Sequence, residues 1–429
     1  MPPPERPRLS PSFRLVVCCV AWTVALTGSA GCQSTVDSLG YDNAGGVILH
    51  PIKGPGSYPN AFRDVLGKTD PEIQTKIDRA FAQLFHGDQN TQAIYVPTPG
   101  QPDQASITDT LHVDVRTEGI GLGMIIALQL GKREELDRLW TYAQAQMKEK
   151  DGPSRGYFNS SCAVTATDDR PCLDPYGMEH MLMALLLANQ RWSSAPGSVD
   201  YAAGAKDLLT VMRHKEDENG GVVDGITNLF DPVASLVFDL PLASSAGKTR
   251  PSVVTPAFYA LWAQATADPF WSKVASASRR YLQGAAHPTT GLFPLRSGFD
   301  GRPVMGSETF VPETYRTFVN IVIDRIWIPA DSWEVDEANK VLGFFMREGI
   351  DKYGKSYSLD GTVIDTSHEA SLVMVNGITA LISSIAISAQ RAFIQEVWDR
   401  ELPIGPGRYF TGILQMLGLL ILGGQFRVE

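Results

Sequence analysis

Apolar side chains recur at intervals of three and four residues through most of this chain, the spacing that gathers them on one stripe of a helix. The first clear stripe is Ile73, Ile77, Phe81, Leu84 and Phe85. Asp70 ahead of Pro71 reads as an N-cap followed by proline at the first helical position, and His86-Gly87-Asp88 stops the run, so a helix is expected over 70–85. The same spacing predicts helices from Glu118 onward and over 133–148, 175–192, 199–214, 255–265, 269–283, 312–327, 332–347, 369–390, 393–399 and 408–422. Turn residues and β-branched runs interrupt this pattern over 215–241, and Asp360-Gly361 marks a small hairpin within 356–363. Strands and helices do not alternate in the βαβ manner, and there is no dinucleotide fingerprint. About a dozen helices joined by alternating short and long connections read as paired hairpins, a large all-α domain. The apolar run over 414–422 is too short for a membrane span and reads as buried core.

The N-terminal end follows another pattern. Arg6, Arg8 and Arg14 precede an apolar stretch over 15–26, and Thr27-Gly28-Ser29-Ala30-Gly31-Cys32 then supplies small residues for cleavage. This is the organisation of a secretory leader over 1–32. Its ending resembles a bacterial lipobox with Cys32 as the lipidated residue, so a secreted or cell-envelope protein is expected, touching membrane only through that anchor. Residues 33–57, small, polar and rich in glycine and proline, read as a tether, and 58–429 as the folded domain. The composition, 44% apolar and 20% charged, is ordinary for a globular chain, and its length assures a sizeable core. A formal charge of -10 argues against nucleic acid or anionic membrane as the main partner and is compatible with a neutral polymer. With Cys18, Cys19 and Cys32 in the leader, Cys162 and Cys172 remain, ten residues apart across a polar loop. In an oxidising compartment they can pair, closing a loop worth ~2–3 kcal/mol. That loop supplies too few ligands for a metal site.

Candidate chemistry concentrates where a charged segment, Asp114-Val115-Arg116-Thr117-Glu118, runs into the apolar helix ending near Leu130. Glu118 falls in the first turn, where the helix dipole favours a carboxylate. Gly119, Gly121 and Gly123 follow at alternate positions. Each glycine costs ~1 kcal/mol in a helix interior, so something must approach this backbone closely. By residue type alone, Glu118 reads first as a helix-end carboxylate beside a tight helix contact. The motif Glu118-Gly119-x-x-x-Gly123-Met124, with Asp114-Val115-Arg116 before it and Gln129-Leu130-Gly131-Lys132 after it, resembles the general-acid segment of glycoside hydrolase family 8, nearest to its xylan-acting branch. Further landmarks are Tyr58-Pro59-Asn60, His214-Lys215-Glu216-Asp217, Asn228-Leu229-Phe230-Asp231, His287-Pro288-Thr289-Thr290-Gly291 and Arg408-Tyr409-Phe410-Thr411-Gly412. The likeness spans nearly the whole chain after the tether.

That resemblance implies an (α/α)6 barrel with a few short β-hairpins in its loops. It also implies a cleft for oligosaccharide and an inverting acid/base mechanism that needs no cofactor or metal. Inverting enzymes set an acid and a base about 6.5–9.5 Å apart with a water between base and sugar. Glu118 takes the acid's place. The base segment is matched by Pro312-Glu313-Thr314-Tyr315-Arg316, with Glu313 where the family usually has aspartate and Arg316 expected to orient it. Asp324 falls on a family aspartate read as structural, with Arg325 or Arg116 as its expected partner. The family carboxylate at the cleavage subsite is matched by Tyr176, with Asp174 two residues upstream as a substitute and Glu179 as a structural acid. Leu122 and Asn159 stand where the branch has aromatics, while Tyr259, Trp262 and His368 are further candidates for sugar contact. A second reading of these replacements is a barrel that binds glycan without cleaving it.

Overall fold

The computed structural model describes residues 47–160, 172–192, 198–329 and 331–428. Its α-helices are α1 (Ala61–Asp64), α2 (Asp70–His86), α3 (Thr117–Gln129), α4 (Arg133–Tyr142), α5 (Pro175–Arg191), α6 (Tyr201–Asn219), α7 (Pro256–Thr266), α8 (Pro269–Ala285), α9 (Arg316–Trp327), α10 (Trp333–Glu348), α11 (Ala370–Ala380), α12 (Ile387–Asp399) and α13 (Arg408–Leu422). The odd-numbered helices from α3 to α13 touch one another in succession, and α13 returns to α3, which closes a ring. The even-numbered helices pack outside it: α4 on α3, α6 on α5, α8 on α7, α10 on α9 and α11, α12 on α11 and α13, and α2 on α13. This is an (α/α)6 barrel.

The two layers differ in pattern because they differ in surroundings. Inner α3 is buried on every side from Thr117 to Leu128, and α5 is buried from Pro175 to Ala188. Outer α2 buries only the stripe Ile73, Ile77, Ala80, Phe81, Leu84 and Phe85. Its N-cap is Thr69, in a capping box with Glu72, one residue earlier than expected. Short antiparallel strands cover the barrel: Tyr95–Pro97 pairs with Ala105–Asp109, which pairs with Asp114–Val115. A second set joins Thr309–Phe310, Ser356–Ser358 and Val363–Asp365.

Several expected boundaries move. The helix expected over 369–390 ends at Ala380, and a new one begins at Ile387. The amides of Leu381 and Ile382 turn back to carbonyls three residues earlier, tightening the last turn, while Asn339 grips Ser384 through both ends of its amide. The expected 133–148 helix loosens into a π turn over Ala143–Met147. Ahead of α9, Pro312–Thr314 is a separate 3-10 turn. The segment expected to be a tether is anchored where it is described: Val47 and Ile52 are buried, and Ile52 exchanges both backbone hydrogen bonds with the Gln190 amide. Cys172 is disulfide-bonded. Cys162 and Cys32 lie outside the described residues.

Gly121 of α3 and Gly177 of α5 sit where two backbones meet. A Cβ on Gly121 would lie 2.5 Å from the carbonyl oxygen of Gly177 in α5, and one on Gly177 would lie 2.2 Å from the carbonyl carbon of Thr117. Gly119 and Gly123 instead face side chains, those of Tyr409 and Ile107. A side chain at Gly121 would force α3 away from α5, and one at Gly119 or Gly123 would displace Tyr409 or Ile107.

Candidate active site

Alternation of inner and outer helices brings the N-terminal ends of the inner helices to one end of the barrel, and a cavity of about 550 Å³ opens there. Glu118 reaches it from the first turn of α3, Asp174 from the N-cap of α5, and Glu313 and Arg316 from the turn into α9. Glu369 comes from the N-cap of α11, and Tyr409 from the first turn of α13. Arg250, ahead of α7, completes the circle, with Asp239, Arg296, Asp109 and Arg116 from the connecting loops.

Most charges in this cavity are paired. The Arg316 guanidinium contacts Glu118 at 2.7 Å. It also lies over the ring of Tyr176, 4.7 Å from the centroid, a cation–π arrangement. Burial works against its charge, but Glu118, Tyr176 and Asp174 outweigh burial and hold Arg316 above its ordinary range. Arg316 therefore serves Glu118 and does not orient Glu313 as expected. Glu313 is exposed on its 3-10 turn, and no ion pair or hydrogen bond holds its carboxylate among the described residues.

Across the cavity Arg250 donates to Asp174 at 2.7 Å and pairs with Asp239, which Arg296 meets at 2.9 Å. Burial opposes the Arg250 charge, and the flanking Asp174 and Asp239 overcome it, raising it above its ordinary value. Arg116 bridges Asp109 and Asp114 at 3.1 and 3.0 Å.

The remaining candidates from sequence are placed as follows. Tyr176 is fully buried beneath Arg316, its hydroxyl 3.5 Å from Asn320 Oδ1, and it does not line the cavity. The carboxylate that does is Asp174. Asn159 accepts a hydrogen bond from the Cys172 amide and does not line the cavity, although its neighbour Ser160 does. Leu122 is buried in α3. Tyr259 and Trp262 are core, not sugar platforms. The Tyr259 hydroxyl donates to Glu179 at 2.7 Å, and Trp262 packs edge-on against Trp271. Glu179 is fully buried, with Tyr259 and Thr255 as donors, and burial pushes its carboxyl well above the usual range. His368 points away from the cavity lining, tied to the Tyr353 carbonyl at 3.0 Å and to Glu396 at 3.4 Å. Asp324 is fully buried, but its partner is Arg279, bidentate at 2.7 Å, and neither Arg325 nor Arg116. Sequence reasoning missed Asp239, Arg250, Arg296 and Glu369. Of these, Glu369 was within reach of it, because it immediately precedes an inner helix.

A closed double ring of helices with charged side chains around the mouth of its inner layer defines an (α/α)6 barrel with a charged cleft at one end. The match to known proteins makes the class specific. The glycosyl hydrolases family 8 model matches residues 95–424, and the chain belongs to that family. A reducing-end xylose-releasing exo-oligoxylanase of Paenibacillus barcinonensis is 31% identical over 385 residues, 87% of this chain and 97% of that protein. Endoglucanase 2 of Ruminiclostridium josui is 24% identical over 73% of this chain and 65% of its own length. Among solved structures, the Paenibacillus barcinonensis enzyme complexed with xylose superposes with a TM-score of 0.79 at 31% identity, over 88% of this chain and 99% of that one. A family 8 xylanase of Teredinibacter turnerae, complexed with xylohexaose, reaches 0.80 at 31% identity over 87% and 98%.

Proposed function

We propose that this protein hydrolyses β-1,4-linked xylo-oligosaccharides with inversion at the anomeric carbon. The observation that carries the reading is that Glu118 and Glu313 face one cavity from the N-terminal ends of different inner helices, with an arginine seated on Glu118. Glu118 gives its proton to the departing glycosidic oxygen, and the carboxylate left behind is met by Arg316. Water held by Glu313 attacks the anomeric carbon from the other face and passes its proton to Glu313. The Asp174 carboxylate, steadied by Arg250, accepts hydrogen bonds from the sugar at the cleavage point, contacts that strengthen as the ring distorts. The similarity to xylan-acting relatives supports xylose over glucose as the sugar. The leader supports secretion of the chain, with Cys32 as its lipid anchor and the barrel outside the cell membrane.

The test is hydrolysis of a xylo-oligosaccharide series by wild type, Glu118→Gln and Glu313→Gln, with the anomer of the fresh product read by NMR. Activity with inverted product, lost by at least 10³-fold in both variants, is expected. Retention of configuration, or a Glu118→Gln enzyme with wild-type turnover, would sink this assignment. A wild type that binds every oligosaccharide and cleaves none would make the protein a glycan binder.

A further inference from the structure

A second cavity, of about 400 Å³, opens on the outer wall of the barrel between α2, the end of α12 and the middle of α13. It shares no lining residue with the cleft. Its Gln415 and Leu419 lie about 9 and 15 Å along α13 from Tyr409 of the cleft, at ~1.5 Å per residue. Three cations gather around one partly exposed indole. The ammonium groups of Lys68 and Lys76 sit 4.8 and 5.3 Å from the ring centroid of Trp398. Arg79 stands three positions after Lys76 on α2, so both reach the cavity from one helix face. Among the described residues no ion pair holds any of the three. Glu72 accepts its hydrogen bonds from Thr69, and Arg400 turns to Glu396. Burial pulls Lys76 below its ordinary pKa, and Glu401 and Asp399 offset only part of that fall. The face of the indole eases the crowding of like charges but supplies no counter-ion. Pro71, Leu402 and the indole add apolar surface beside the cations.

We infer that this cavity is a second glycan site, which takes a uronate substituent of a xylan chain and receives its carboxylate on Lys76 and Arg79. The ligand class follows from the groups present. A bare anion would leave the apolar surface unused, and a neutral sugar would leave the cations unused. A carboxylate carried on a sugar ring meets both, with the Arg79 fork and the Lys76 ammonium as charge-assisted donors. Its arrival relieves the repulsion between like charges on one helix face. A chain held here raises the local concentration of its neighbouring segments at the cleft. The acidic group is read from the cations alone, whereas the xylan backbone rests on the function proposed for the cleft.

Binding at Trp398 tests this apart from hydrolysis. In Glu118→Gln protein, NMR would follow the indole N–H of Trp398, assigned by its loss in Trp398→Phe. The probes are xylotetraose, xylotetraose bearing one glucuronate substituent, and inorganic phosphate. The glucuronate probe should shift this signal with an affinity at least tenfold above both others. Lys76→Gln/Arg79→Gln should weaken it about tenfold to a hundredfold, the range for hydrogen bonds to charged groups. Lys273→Gln, which removes an exposed cation of α8, should leave it within twofold. Phosphate matching the glucuronate probe would reduce the cavity to a basic patch and overturn the proposal. So would xylotetraose matching it, a double variant within twofold of the parent, a Lys273→Gln loss as large as the double variant's, or a silent Trp398 in a protein whose wild type cleaves xylo-oligosaccharides. Glucuronate binding at Trp398 with a wild type that hydrolyses nothing would leave this site standing and remove only the catalytic reading of the cleft.

Discussion

Gly177 offers a direct way to move the candidate acid without touching it. A methyl group there would lie 2.2 Å from the carbonyl carbon of Thr117, 2.4 Å from its oxygen and 2.5 Å from the amide nitrogen of Glu118. The closest approach falls about 1.2 Å short of the 3.4 Å at which ordinary contact begins. All three atoms are backbone, so no side chain can swing aside, and α3 must recede from α5 by roughly 1 Å. Overpacking of this kind costs about 1–3 kcal/mol, and rigid neighbours place this case near the upper end. At about 2 °C per kcal/mol for a large domain, the thermal midpoint should fall by roughly 6 °C. A catalytic group displaced by 1 Å costs about 10²-fold in rate, so Gly177→Ala should lose kcat/KM on xylo-oligosaccharide by that order while remaining folded. Gly284→Ala is the control. Its methyl would meet only the Asp300 carbonyl, at 4.0 Å, and alanine in α8 should hold or raise the midpoint. Wild-type kcat/KM and an unchanged midpoint in Gly177→Ala would refute the claim that this contact positions Glu118.

Other outcomes follow from particular groups. Glu334 is fully buried, and burial together with the charges of Asp324 and Asp331 raises its carboxyl to about 7. Because the folded state binds this proton more tightly than the unfolded chain, its contribution is complete at low pH and is lost as pH rises through about 7. In urea denaturation Glu334→Gln should therefore shrink the stability difference between pH 5 and pH 8 by up to ~3 kcal/mol, while the raised Glu179 carboxyl keeps its own share of that difference in the variant. Arg316→Met leaves Glu118 without its cation in a buried setting, a change of about 3–5 kcal/mol. Arg316→Lys should not rescue activity, because an ammonium cannot lie flat over Tyr176 while reaching Glu118. Intact-mass analysis of the secreted product should show a chain beginning at Cys32 with added acyl mass, and a soluble form without it would exclude the anchor.

The barrel was legible because its two layers leave different signatures. Outer helices repeat one stripe, as α2 does through Ile73, Ile77, Phe81 and Leu84, and inner ones are apolar all round, as α5 is. Periodicity could not show that α11 ends at Ala380, because Leu381, Ile382 and Ile385 continue an apolar run through the turn. The break is made by a tertiary contact, the grip of Asn339 on Ser384, which leaves no trace in local spacing. The glycine argument succeeded for the opposite reason. Three costly residues within five positions of α3 demanded a close neighbour, and the backbone of α5 meets Gly121.

Matching the chain residue by residue put Tyr176 where a carboxylate belongs and so made the cleft look depleted. Helix geometry explains the displacement. Asp174, at the N-cap of α5, extends from the helix end into the cavity, whereas Tyr176, two residues further in, turns under Arg316 and becomes part of the floor. A carboxylate shifted to the cap needs a fixed cation to hold it, and Arg250 provides one, itself fixed by Asp239 and Arg296. None of these three belongs to the inner helices: Asp239 and Arg250 lie in the connection between α6 and α7 and Arg296 in that between α8 and α9, where spacing carries no periodic signal. The cation and its supports therefore had to be found in space. The same geometry shows why Arg316 was misread. Three residues after Glu313, it looked like that residue's partner, but it is the first residue of α9, and its side chain crosses to α3. The proposed acid and the proposed base are thus served unequally, Glu118 by a stacked arginine and Glu313 by no protein group among the described residues. A base that must take up a water's proton and release it again gains from that freedom, whereas an acid that is left as a carboxylate after each bond cleavage gains from a fixed cation.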